Sequence, residues 1–272
     1  MSKTAFPGAI SEPPITTGAE HLLTHPLTIY LPAYNCEQTI VGVISSISKP
    51  ILESANILVI DNCSEDSTIE RLQKAKEKGL IPQKVIVLKT PKNLGYAGSQ
   101  KFAYEIFRRS DSQWIVMLHG DGQYPPELLD RCVPLLNPNL DLVYGYRSKT
   151  TFSGEETPFL TWFLIKSLSL LESLVTGVYR KEWHTGFVMY RNQYLKKINF
   201  EALTTTPHFD GHMLFVSNLL GAKVKAVPIY KKYKELTAFE GKARRKYVLD
   251  VLRLMFQFRR TTSKDVLLAT SK

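Results

Sequence analysis

The segment Trp114-Ile115-Val116-Met117-Leu118-His119-Gly120-Asp121-Gly122-Gln123-Tyr124-Pro125-Pro126-Glu127 changes character twice. Its first five residues are apolar and partly β-branched, as in a buried strand. A short polar turn follows. Pro125-Pro126-Glu127 then reads as the start of a helix, where proline is tolerated. Strand, turn and helix in that order make the crevice at the carboxyl end of a parallel sheet, where ligands of open α/β folds bind. Side chains alternate along extended backbone, so His119, Asp121 and Gln123 can point the same way. An imidazole, a carboxylate and an amide aimed at one point suit a divalent cation that also holds phosphate oxygens. Gly120 and Gly122 let backbone approach a ligand. The same residues also make an ordinary polar loop with two turn glycines.

Other apolar runs flank this crevice on both sides. Leu27-Thr28-Ile29-Tyr30-Leu31 leads into Pro32-Ala33-Tyr34-Asn35, and Ile40, Val43, Ile44 and Ile47 follow at helical spacing. Ile57-Leu58-Val59-Ile60 ends in Asp61-Asn62-Cys63-Ser64-Glu65-Asp66-Ser67-Thr68, and a charged helix runs on to Lys78. Val85-Ile86-Val87-Leu88 precedes Asn93-Leu94-Gly95-Tyr96-Ala97-Gly98 and a helix through Arg108. Leu142-Val143-Tyr144 is a fifth strand. Strands and helices alternate, with connections long enough for parallel crossovers. The predicted architecture is therefore α/β, with a doubly wound, mostly parallel sheet covered by helices on both faces.

The chain has 272 residues, 44% of them hydrophobic and 11% aromatic, which excludes a disordered protein and gives ample core for one large domain. We expect that domain over residues 26–258. Residues 1–25 hold Pro7, Gly8, Pro13, Pro14 and Gly18 without periodicity and read as a flexible arm, and 259–272 as a basic tail. Cys36, Cys63 and Cys132 are odd in number and form no CxxC pair. That argues against a disulfide framework or a cysteine zinc site and fits a reducing compartment. With no signal-peptide pattern, the expected location is cytoplasmic. Phe159 to Val178 is interrupted by Lys166 and Glu172 and is a poor membrane-spanning candidate.

The net charge of +10 is concentrated at one end: residues 223–272 hold 14 of the 35 Lys and Arg but only 4 of the 25 Asp and Glu. An anionic partner is implied there. Arg244-Arg245-Lys246 and Arg259-Arg260 bracket Tyr247, Val248, Val251, Leu252, Met255 and Phe256 at helical spacing. Such an amphipathic helix, over residues 243–260, either packs on its own domain or docks on the inner face of an anionic membrane. No nucleic-acid-binding motif accompanies the charge.

The turn after the first strand lacks the GxGxxG of dinucleotide folds, and no GxxxxGK[ST] occurs. Asp61 can accept hydrogen bonds from the N–H edge of a uracil or guanine, or it can cap the helix that follows. Tyr34 can flank a base or ribose. His208-Phe209-Asp210-Gly211-His212 sets two histidines four apart around a carboxylate, a spacing zinc uses, but a third ligand is not evident and the glutamate of HExxH is missing. Trp183 and His184 precede a predicted strand and either pack or act there.

In order along the chain, Pro32-Ala33-Tyr34-Asn35, Val59 to Thr68, Asn93-Leu94-Gly95 and Gly120 to Glu127 resemble the motifs of family 2 glycosyltransferases with the GT-A fold. Within that family the resemblance is to the polyprenyl-phosphate sugar transferase branch, the dolichol-phosphate mannose synthase type, and it runs from about Leu27 to Arg253. It implies a UDP- or GDP-linked sugar donor, a divalent cation (Mn2+ or Mg2+) and inverting transfer to a lipid-phosphate or hydroxyl acceptor. It further implies that Pro32, Tyr34, Asn35 and Asp61 hold the base and ribose, and that Asn93, Gly95, Gly120 and Asp121 belong to the same donor site. Arg147 would clamp phosphate. Asp121, Gln123 and His119 would hold the metal. Asp210, or else Glu182, would be general base for a hydroxyl, whereas an acceptor phosphate is already ionised and needs none. Glu182-Trp183-His184-Thr185-Gly186-Phe187 resembles the acceptor-side segment. Val227-Pro228-Ile229 and the basic loop after it resemble the strand and loop that close over the donor.

Three positions depart from the family pattern. His119 stands where the first acid of DxD is usual, Cys36 where an acid often follows the Asn, and Tyr96 where a lysine is common. Manganese tolerates imidazole better than magnesium does. His119 therefore keeps a second reading open, a non-catalytic or weakly active sugar-nucleotide-binding, membrane-associated protein. A sugar nucleotidyltransferase would need a Gly-rich, Arg- and Lys-bearing loop after the first strand, and that loop is missing.

Overall fold

In the computed structural model, which describes residues 18–147, 159–232, 242–260 and 268, seven strands form one sheet in the order β3-β2-β1-β4-β6-β5-β7. Strands β1 (Leu27–Ala33), β2 (Ala55–Asp61), β3 (Ile86–Lys89) and β4 (Trp114–Met117) are mutually parallel. Alternate residues serve two cores. Tyr30, Leu58, Ile60, Ile115 and Met117 enter one, and Ile29, Leu31, Ile57, Val59 and Val116 enter the other. Burial on both faces explains why these strands read as unbroken apolar runs.

The second core is covered by α1 (Ile40–Ser45), α2 (Lys49–Ser54), α3 (Thr68–Glu77) and α5 (Leu128–Cys132). The first is covered by α4 (Gly95–Arg108), α7 (Asn192–Leu195), α8 (Phe209–Leu219) and the inner face of α9 (Lys242–Arg260). The doubly wound, helix-covered sheet expected from the sequence is thus observed.

One feature differs from the simple alternation. β5 (Leu142–Arg147) does not lie beside β4; antiparallel β6 (Val188–Arg191) separates them, and β7 (Val224–Ile229) pairs parallel with β5. The inserted strand comes from far along the chain, after α6 (Phe159–Thr176), so local periodicity carries no trace of its place. Packing also begins before residue 26. Ala19 and Leu23 are buried in the first core, so this part of the expected arm belongs to the domain. The rest of that arm, residues 1–17, lies outside the described residues, as do 233–241 of the basic loop and most of the tail after 260.

Candidate active site

Two loops at the carboxyl edge of the sheet are laced together by side-chain to backbone bonds. Asn35 and Cys63 adopt left-handed backbone, with φ of 50° and 63°. Asparagine tolerates that conformation better than most residues. Asn35 accepts from Glu65 N through its side-chain oxygen (3.0 Å) and donates its own N–H to Ser64 Oγ (2.9 Å). Cys36 N donates to Thr68 Oγ1 at 2.9 Å, Glu37 N to Asp66 Oδ2 at 3.0 Å, and Ser67 N to Glu37 Oε2 at 3.1 Å. A third loop joins through Asn62, whose amide donates to Asn93 Oδ1 (3.0 Å) and accepts from Leu94 N (2.8 Å). Asn93 Oδ1 in turn accepts from Gly95 N at 2.8 Å, where φ is +70° at the first residue of α4. Asn35 is thus a brace of the site rather than part of its lining.

Asp61 ends β2 and is completely buried. Its Oδ2 accepts from Ser64 N at 3.1 Å, and its Oδ1 has no hydrogen-bond partner. Helix α3 begins only at Thr68, so Asp61 does not cap it. An unpaired buried carboxylate oxygen is costly unless a ligand N–H completes it. Asp61→Ala is expected to weaken binding of a uridine or guanosine diphosphate by about tenfold or more, the equivalent of a charged hydrogen bond of about 1.5–3 kcal/mol. Isothermal titration checks this; unchanged affinity would leave Asp61 as a turn residue alone.

The turn after β4 brings the metal-type residues in. Gly120 N donates to Pro32 O (3.2 Å) and Gly120 O accepts from Thr39 Oγ1 (2.7 Å). A Cβ there would fall 2.8 Å from Ile40 Cδ1 and 3.0 Å from Pro32 O, so only glycine fits. Gly120 therefore shapes the site by close approach without contacting its open space. Asp121 Oδ1 accepts from Gln123 N at 2.9 Å. The His119 ring packs between Tyr96 and Tyr124, and its Nε2 faces Gly186. Burial pushes the His119 pKa down to about 4 despite the nearby Asp121 carboxylate, so the imidazole is neutral. Pro32, Tyr34, Asn93, Gly95, His119 and Asp121 line one cleft of about 350 Å³, together with Ala33, Cys36, Asn62, Tyr96 and Ser99. Gln123 does not line the cleft; its backbone N–H is what the turn uses.

The acceptor-side residues are arranged differently from the sequence expectation. Asp210, in the first turn of α8, does not line the cleft. Tyr96, which does, donates its hydroxyl to Asp210 Oδ2 at 2.6 Å, and Gln100 approaches the same oxygen at 3.5 Å. Burial raises the Asp210 carboxyl to about 7, against the opposing effect of these two donors. A carboxyl that titrates near neutrality can accept a proton at little cost.

Glu182 and Arg147, expected as a second base and a phosphate clamp, are paired with each other. Arg147 N donates to Glu182 Oε2 (2.6 Å), its Nε and a terminal nitrogen to Oε1, and the same terminal nitrogen to His184 O (2.8 Å). Burial disfavours the Glu182 charge, but the Arg147 guanidinium and its hydrogen bonds outweigh it, and the carboxyl lies below the usual range. A carboxylate held this way is a poor base, because accepting a proton would break its pairing with Arg147. Neither residue lines the cleft.

His212 Nδ1 accepts from Thr204 N (3.1 Å), and its backbone N–H donates to His208 O (3.1 Å). His208 and His184 turn toward Glu172 of α6.

A model of glycosyl transferase family 2 matches residues 28–215. The chain belongs to this family. It is 23% identical over 210 residues to the polyprenol monophosphomannose synthase of Mycolicibacterium smegmatis, covering 76% of this chain and 78% of that one. It is also 23% identical over 181 residues to the dolichol-phosphate mannosyltransferase of Pyrococcus furiosus, which covers 65% of this chain but only 49% of the longer relative. Among solved structures, the glucosyl-3-phosphoglycerate synthase of Mycobacterium tuberculosis with Mn2+ and UDP-glucose superimposes with a TM-score of 0.62 at 18% identity, over 90% of this chain and 85% of that one. The same enzyme with Mn2+, UDP and phosphoglyceric acid gives 0.62 at 17%, over 85% and 79%. These likenesses show a GT-A glycosyltransferase fold.

Within this family fold, several contributors escape sequence inspection. Lys231 follows β7; burial pulls its pKa down to about 8, with Arg147 lowering it further and Asp121 and Glu182 opposing. Its Nζ sits 5.3 Å from the Tyr124 ring centroid. Its sequence signal is the basic loop after Val227-Pro228-Ile229. Tyr96, noted only as a departure, connects the cleft to Asp210. Glu172, noted only as a charge interrupting an apolar helix, is wholly buried.

Proposed function

We propose that this protein is an inverting, metal-dependent glycosyltransferase that moves a sugar from a UDP- or GDP-linked donor to a lipid-phosphate acceptor, or to a hydroxyl. The observation that carries this reading is the cleft at the carboxyl ends of β1, β2 and β4. Asp121 and a neutral His119 lie in its wall, and Asp61, which precedes the lining residue Asn62, is buried outside that lining with one carboxyl oxygen unpaired. Asp121, with His119 and Gln123, would hold a divalent cation, which would neutralise charge building on the leaving diphosphate. Lys231 adds a cation near Asp121. Tyr96 and Asp210 form the route by which a hydroxyl acceptor would lose its proton. The family relatives named for polyprenol and dolichol phosphate support a lipid-phosphate acceptor, and the neighbours holding Mn2+ with UDP support the donor class.

The deciding experiment is a thermal-shift screen against UDP- and GDP-sugars with manganese, followed by assay of diphosphonucleoside release with a polyprenyl phosphate or saccharide acceptor. A donor at a hundred times its Kd stabilises the fold by about 2.7 kcal/mol. Neither shift nor release with any donor would overturn the proposal. A shift without release would favour the non-catalytic binder.

Helix α6 supports a lipid acceptor because its polarity is inverted. Ser169, Glu172 and Ser173 face inward, while Phe159, Phe163, Leu170, Leu171 and Leu174 are exposed. α9 packs through Val251, Leu254 and Met255 and leaves Leu249, Leu252 and Phe256 outside. It therefore packs on its own domain and still offers an apolar outer face. Among the described residues, no helix is long and apolar enough to cross a membrane. An outward apolar face beside Arg245, Lys246 and Arg253 suits peripheral docking on an anionic surface. We expect co-sedimentation with anionic vesicles at low salt, weakened at high salt, since each basic residue near such a surface contributes about 1 kcal/mol and salt screens it. Equal binding to neutral vesicles, or none to either, would remove the membrane from the proposal.

A further inference from the structure

Behind the cleft, three segments far apart in sequence bring two imidazoles and a carboxylate together. Glu172 comes from the inner face of α6, His184 from the loop before β6, and His208 from the residue that precedes α8. His184 Nε2 lies 2.9 Å from Glu172 Oε2, and His208 Nε2 lies 3.0 Å from Glu172 Oε1. One ligating atom from each residue falls within 4.8 Å of the others. All three side chains are removed from solvent, at 0%, 3% and 0% exposure for Glu172, His184 and His208.

The two ring nitrogens and both carboxylate oxygens nevertheless make no hydrogen bond of normal geometry. The opposite nitrogens are well anchored: Nδ1 of His184 and Nδ1 of His208 meet the Tyr247 hydroxyl at 2.8 and 3.2 Å. A tyrosine oxygen can accept from both N–H groups at once. With each Nδ1 donating to Tyr247, the Nε2 atoms are the ring positions that can ligate an ion beside the Glu172 carboxylate.

We propose that Glu172, His184 and His208 bind a divalent transition-metal ion, zinc in the first instance, at a site separate from the donor cleft. Two imidazoles and one carboxylate are a three-ligand set of the zinc type, leaving one position for water. Ligand atoms about 2.0–2.2 Å from a tetrahedral ion lie roughly 3.3–3.6 Å apart, within the 4.8 Å that encloses one ligand atom from each of these residues. Tyr247 supplies the outer hydrogen bonds that fix the ring tautomers. None of the three ligands lines the cleft. The site ties α6, α8 and α9 together, two residues from Asp210 and at the loop whose His184 carbonyl accepts from Arg147. Its role is to position the acceptor side, and its existence does not depend on the sugar-transfer reading.

The test uses the full-length, tag-free protein, loaded with zinc, passed through gel filtration and measured by elemental analysis. We expect about one equivalent of zinc per chain and a lower melting temperature after chelation. Cobalt in place of zinc should give the visible absorption of a four-coordinate ion with nitrogen and oxygen ligands. Glu172→Gln should reduce zinc affinity at least tenfold, and Tyr247→Phe should weaken it by a similar factor. Asp121→Ala, which lies in the other site, should retain the zinc. Should Glu172→Gln fail to fold, the cobalt spectrum of the unaltered chain and the Asp121→Ala stoichiometry still decide. A folded wild-type chain that holds less than a tenth of an equivalent of both metals would overturn the proposal, as would loss of the ion in Asp121→Ala or unchanged affinity in Glu172→Gln. A proton shared within the cluster would then account for the contacts.

Discussion

Asp121→Ala should lower the rate of donor turnover by a thousandfold or more while leaving the protein folded. The structural reason is the separation between what this side chain does for the turn and what it does for the cleft. Its contribution to the turn is a single bond from Gln123 N to Oδ1, and the residue is half-exposed. Losing one such bond costs about 1 kcal/mol. The backbone of the turn is fixed independently, by Gly120 N on Pro32 O and Thr39 Oγ1 on Gly120 O. In the cleft, however, Asp121 is the one carboxylate of the lining among the described residues. Without it, His119 and Gln123 offer a cation no negative charge. Removing a charge-stabilising group at a reacting centre typically costs about 10² to 10³ in kcat, and loss of a metal removes several kcal/mol of transition-state stabilisation. Initial rates with saturating manganese give the answer, and circular dichroism confirms the fold. Metal-free nucleotide binding should survive, because Asp61 and Asn62 belong to different loops. Rates within a few-fold of wild type would remove Asp121 from the metal site.

Much of this geometry was legible in the sequence because it lies where strands end. Parallel strands buried on both faces announce themselves as apolar runs, and the first polar residue after each run, near Pro32, Asp61, Asn93 and His119, falls on one edge of the sheet. Four loops at one edge can be collected without knowing the strand order. Side chains that arrive from helices were not legible in the same way. Glu172 faces inward from α6 while five apolar residues of the same helix face outward. An ordinary amphipathic reading assigns the faces the other way round. The sequence position marks Asp210, but the Tyr96 hydroxyl that stands between it and the cleft depends on the packing of α4 against α8. The Arg147–Glu182 pairing joins residues 35 positions apart across β5 and a loop, and single-residue motif matching gave each member a separate task.

Arg147→Met should destabilise the protein by about 3–5 kcal/mol, the usual cost of stranding one member of a buried ion pair. Glu182 is wholly buried and Arg147 nearly so, and the pair is joined through the backbone N–H as well as the guanidinium. With the guanidinium gone, Glu182 keeps a desolvated charge with one backbone donor. For a chain of this size the melting temperature should fall by roughly 6–15 °C. Adding Glu182→Leu removes the stranded charge and should restore most of the loss. Recovery should stop about 1–3 kcal/mol short of wild type, because the Arg147 backbone N–H then has no acceptor and His184 O loses its donor. The double variant also separates the two roles assigned to Arg147. If the pair only holds the 182–187 loop against β5, the recovered protein should bind donor with affinity within a few-fold of wild type. If the guanidinium also clamps the diphosphate, stability should recover while donor affinity stays at least tenfold weaker. A single variant that melts within 2 °C of wild type would mean that the pair is solvated in solution, and the positioning role drawn from it would be lost.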